Sequence, residues 1–106
     1  MAWIYLVVAG LLEIGWPVGL KIAQNSETRV RGVIMAVLLM GASGACLWLA
    51  QRDIPMGTAY AVWTGIGAVG TLILGMLVYG EPSTAMRLGS ASLIVIGIIG
   101  LKLAHA

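Results

Sequence analysis

The chain has 106 residues, 60% of them hydrophobic and 9% charged. A water-soluble domain of this length needs a charged surface, and so few ionisable side chains cannot supply one. The net charge of +2 comes from basic residues scattered along the chain rather than clustered, which points away from nucleic-acid binding.

Where the charges fall defines the elements. Residues 2–20 contain only Glu13, and residues 32–50 and 54–80 contain none. A span needs about 20 apolar residues to cross roughly 30 Å of hydrocarbon. Four spans are expected, near residues 2–22, 30–51, 57–79 and 84–104, forming one transmembrane domain over 1–106. The runs are continuously apolar, whereas the strands of a membrane barrel would alternate. An all-α membrane protein is expected.

The first span lacks the basic flank and small-residue cleavage site of a secretory signal, so it is expected to remain in the mature protein. Its "GLLEIGWPVGLK" stretch carries Glu13 near the middle of the membrane. An ionisable group there is expensive and marks function by default. Every Lys and Arg lies at or near a helix end, so no basic partner is in view. A carboxylate removed from water favours its protonated form, and a second copy nearby in a homodimer would favour it further. Such a group holds a proton or faces a cation, but not both, which is sufficient for antiport. Transport driven by a proton gradient is expected rather than an enzymatic reaction.

Trp16 follows Glu13 by three residues and shares its helix face. Its indole N–H can donate to a carboxylate and its ring can wall a planar cation. Trp3 and Trp48 suit the membrane interface better than Trp16 does. Pro17 removes the amide that would bond to the Glu13 carbonyl. With Gly15 and Gly19 beside it, Pro17 either makes a hinge or only sets the helix direction.

In the second span, Ser43 is a hydroxyl that bonds either a carboxylate or its own helix carbonyl. Cys46 is the sole cysteine and is expected to be packing. In the third span, "GTAYAVWTGIG" sets Tyr60 and Trp63 on one face, continued by Gly67. Tyr60 is near enough to the helix end to be an interfacial aromatic, whereas Trp63 is too deep. The "GIGAVG" run at 65–70 fits a dinucleotide fingerprint only as a string, because no strand precedes it. In the fourth span, "LIVIGIIGL" has one bulky and one small face, and Gly97 and Gly100 suit a partner helix in a homodimer.

Four spans place both termini and the 52–56 loop on one side, with Arg52 and Lys102. Lys21, Arg29, Arg31 and Arg87 fall on the other. So small an asymmetry leaves two readings open: a weak preference for the termini outside, or insertion both ways.

These residues together resemble the small multidrug resistance transporters. The Tyr60–Trp63 block marks the broad family. Its combination with Glu13 and Trp16, and the "RLGSASLIVIGIIGLKLA" close at 87–104, is similar to the guanidinium-exporting branch. The resemblance implies an antiparallel, dual-topology homodimer in the lipid of the bacterial inner membrane, exchanging guanidinium for protons, with no cofactor or metal. It also implies that Glu13 of both subunits binds the ion while Trp16, Ser43, Tyr60 and Trp63 order those carboxylates. Pro17 departs from the branch, which more usually has a small residue there. A broad exporter of quaternary ammonium cations on the same fold, or a partner subunit that does not itself transport, are the alternatives.

Overall fold

The computed structural model describes residues 1–104, so the last two residues of the expected domain lie outside it. Four helices follow one another: α1 (Ala2–Ala23), α2 (Arg29–Ala50), α3 (Met56–Val78) and α4 (Ala85–Ala104). All four are long and apolar enough to cross a membrane. No strand occurs among the described residues. The continuous apolar runs leave backbone N–H and C=O groups to be met within their own helix, as hydrocarbon demands, except where Pro17 lacks an amide.

Connectors stop the helices by local chemistry. After α1, Thr28 Oγ1 donates to the Ile22 carbonyl at 2.7 Å and Arg29 Nε to the Ala23 carbonyl at 3.3 Å. These side chains meet carbonyls that the last turn leaves over. Pro55 stands just before α3 with φ −56° and ψ 143°, where its missing amide costs nothing. Gly80, at φ +67°, turns the chain after α3. Thr84 Oγ1 then accepts the Arg87 amide at 3.3 Å in the first turn of α4.

α1 is the centre of the bundle. It packs most extensively on α2 and next on α3, whereas the α4 backbone approaches only α3. The α1–α2 contact is close because Gly19 and Gly32 carry no side chain. A Cβ on Gly19 would sit 2.8 Å from the Ala36 nitrogen and the Gly32 carbonyl oxygen, and one on Gly32 would meet the Ala23 backbone. Gly19, read from sequence beside Pro17 as a source of flexibility, is thus committed to a helix–helix contact. Pro17 itself lies inside an unbroken α1.

A cluster of Ala2, Leu6, Ala50, Ile54, Ala59 and Val62 closes the end that carries the N-terminus, with Trp63 and Ile98 against it. Basic side chains at the helix ends lie over aromatic rings: Lys21 over Tyr79, Arg52 over Trp48 and Lys102 over Trp3. In α4 only Ala91 is buried. Around Gly97 and Gly100 nothing lies within 4 Å of where a Cβ would stand, so the small face of α4 is open.

Candidate functional site

The residues singled out in the sequence fall into two groups. Ser43 is fully buried between α1 and α3, and its hydroxyl does two things. It donates to the Ala9 carbonyl on α1 at 2.7 Å and accepts the Trp63 indole N–H at 2.8 Å. Neither expected partner, a carboxylate or its own helix, takes the Ser43 proton. The Trp63 ring leans on Tyr60, with centroids 5.3 Å apart and planes 58° from parallel. Tyr60 itself is 56% exposed. A polar tie through Ala9, Ser43 and Trp63 therefore joins α1, α2 and α3 one turn before Glu13.

The second group surrounds Glu13. Its side chain faces a cavity of about 430 Å³ between α1 and α3, lined by Glu13, Pro17, Thr64, Gly67, Ala68, Thr71, Leu72 and Glu81. Gly67 makes room for it: a Cβ there would fall 2.6 Å from the Glu13 Cγ. Thr64, Ala68 and Thr71 follow at helical spacing along the same side of α3. Among the described residues the Glu13 carboxylate has no hydrogen-bond or ion-pair partner. No group of three or more His, Cys, Asp or Glu stands ready for a metal ion among them either.

Trp16 belongs to neither group. It does not line the Glu13 cavity, and its indole N–H is buried with no partner among the described residues. A buried donor left unmet costs about 1–3 kcal/mol, and no acceptor for this one stands among the described residues. Ser43, Tyr60 and Trp63 likewise do not line the cavity. Sequence reading missed Thr64, Thr71 and Glu81. The two threonines lie seven residues apart on one helix face, which periodicity alone could have shown. Glu81 sits in a connector, where only the turn at Gly80 brings it back over α3.

A cavity holding Glu13 and Glu81 between α1 and α3 of a four-helix membrane bundle is an arrangement suited to a small cation. Comparison with known sequences agrees. The model of the Small Multidrug Resistance protein family matches residues 1–99, and the chain belongs to that family. It is 53% identical over 103 residues to the guanidinium exporter of Escherichia coli (strain K12), which covers 97% of each chain. It is 53% identical over 104 residues to the guanidinium exporter of Yersinia pestis, covering 98% of this chain and 99% of that one. The guanidinium exporter of Proteus vulgaris is 54% identical over the same shares. The protein is a multi-pass transporter of the bacterial inner membrane.

Proposed function

We propose that the protein exports guanidinium in exchange for protons, with the two ions competing for Glu13. The observation that carries the reading is the Glu13 carboxylate, unpartnered in an open cavity inside a membrane span. Full-length similarity to guanidinium exporters supports the choice of cation.

The chemistry follows from the groups present. Guanidinium is planar and stays charged at physiological pH, so it needs a carrier to cross hydrocarbon. It offers paired N–H donors that a carboxylate accepts in bidentate fashion. Proton uptake by Glu13 removes that acceptor and releases the cation. Only one occupant fits at a time, so the gradient of one drives the other.

The reading is completed by an antiparallel homodimer. The small open face of α4 around Gly97 and Gly100 suits a second copy, and two copies would bring two carboxylates into one site. The unmet Trp16 N–H supports this assembly, since a Glu13 carboxylate from the partner is an acceptor of the right kind. Within each subunit the Ser43–Trp63 tie holds the α1 backbone one turn before Glu13, which makes these ordering residues rather than ligands.

Guanidinium flux into proteoliposomes under an opposing pH gradient tests the proposal. Gradient-driven flux is expected in the wild type, falling to the level of empty liposomes in Glu13→Gln. Its apparent affinity should weaken as pH is lowered, because protons then occupy Glu13. Preference for bulky quaternary ammonium ions would move the protein to the multidrug reading. No flux of either cation would leave a partner-subunit role.

A further inference from the structure

The Glu13 cavity does not end at Pro17. A second cavity of about 200 Å³ shares Pro17, Thr71 and Glu81 with it and adds Lys21, Gly75 and Tyr79. The two form one groove between α1 and α3. It runs from Glu13 towards Lys21, two helical turns away and roughly 12 Å along the axis.

Glu81 stands at the outer end of this groove, and its position is set by backbone. After the turn at Gly80, the Glu81 amide donates to the Gly75 carbonyl at 3.1 Å. Its carboxylate lies against Gly75, in the space a Cβ would take. Arg87 Nη2 donates to Glu81 Oε1 at 3.0 Å, and both side chains keep partial access to solvent. The pair is incomplete. Carboxylate and guanidinium fit best through two parallel bonds, yet Arg87 Nε is buried without a partner among the described residues.

We infer that Glu81 is an outer cation subsite of the Glu13 groove, where the substrate's guanidinium takes the place of Arg87's. This rests on the guanidinium-export reading above. The head group of Arg87 is chemically the substrate on a tether: planar, permanently charged and carrying the same N–H donors. A carboxylate that accepts one accepts the other, and the exchange replaces a single bond with a two-bond fork. Electrostatics points the same way. Without Glu81 the outer end would offer an arriving cation only Lys21 and Arg87, both positive. Arg87 is therefore an internal competitor, keeping Glu81 paired until substrate arrives.

The test is guanidinium uptake against concentration in proteoliposomes of the full chain, comparing wild type, Glu81→Gln and Arg87→Gln. Glu81→Gln should raise KM by about two- to fivefold, the range of a part-exposed ion pair, and Arg87→Gln should lower it by a similar factor. Maximal rates should stay near wild type in both. Opposite directions are the signature, because an ion pair with only a structural role is broken equally from either side. Equal KM values in all three proteins, or a shift of both variants in the same direction, would overturn the subsite. If Glu81→Gln does not fold, Arg87→Gln decides alone: lower KM supports the subsite, and unchanged or higher KM overturns it. No guanidinium flux by the wild type would overturn the export reading and this inference together. Wild-type flux with both variants unchanged overturns the subsite only.

Discussion

Two polar junctions lie one turn apart on α1, and they are built in opposite ways. At Ala9 the junction is closed: the carbonyl, the fully buried Ser43 hydroxyl and the Trp63 indole satisfy one another. At Glu13 it is open: the carboxylate faces a cavity, and the nearby Trp16 indole is buried without a partner. Burying unmet polar groups costs free energy, so a fold tolerates them only where something else arrives to meet them. The closed junction supplies rigidity. The open one is where the proposed exchange would take place, on a helix that the closed one anchors.

That contrast can be broken from either side. The largest effect is expected at the open junction, where Glu13→Gln removes the exchangeable group and with it coupled flux, while the folded bundle survives. Gly67→Ala fills space beside the same carboxylate, 2.6 Å from its Cγ. Guanidinium binding should weaken by about tenfold, equivalent to about 1.4 kcal/mol of overpacking. Titration of purified protein with guanidinium measures it.

Ser43→Ala tests the closed junction, and there stability should respond more than affinity. Stranding the Trp63 N–H is expected to cost about 1–3 kcal/mol in an unfolding titration. Adding Trp63→Phe should then cost less than it does alone, with a coupling of about 1 kcal/mol. The smallest effect is expected away from both junctions. Gly41 lies inside α2 with nothing within 4 Å of where a Cβ would stand, so Gly41→Ala should leave subunit stability unchanged or raise it by up to about 1 kcal/mol, the gain in helix propensity. A loss would show that Gly41 meets a second chain.

Much of the architecture was legible because hydrocarbon imposes so few solutions. Charge-free runs long enough to span can only be helices, and basic residues at their ends can only mark the interfaces. Glu13 stood out for the same reason. The roles of its neighbours were less legible. Gly19 beside Pro17 read as flexibility, yet the chain spends it on contact with Gly32 and Ala36. Small residues serve bending and packing equally well, and only the position of the facing helix separates the two.

The sequence by itself determined four membrane helices, a carboxylate in mid-span and aromatic residues on α1 and α3 at helical spacing. Each follows from periodicity and from the cost of charge in hydrocarbon, which act within one segment. Tertiary structure decided which hydroxyl meets which indole, that Gly67 makes room for Glu13, and that Glu81 closes the far end of the same groove. Those facts depend on how helices remote in sequence rotate against one another. That rotation is chosen by close contacts such as Gly19 on Gly32, which no single segment contains.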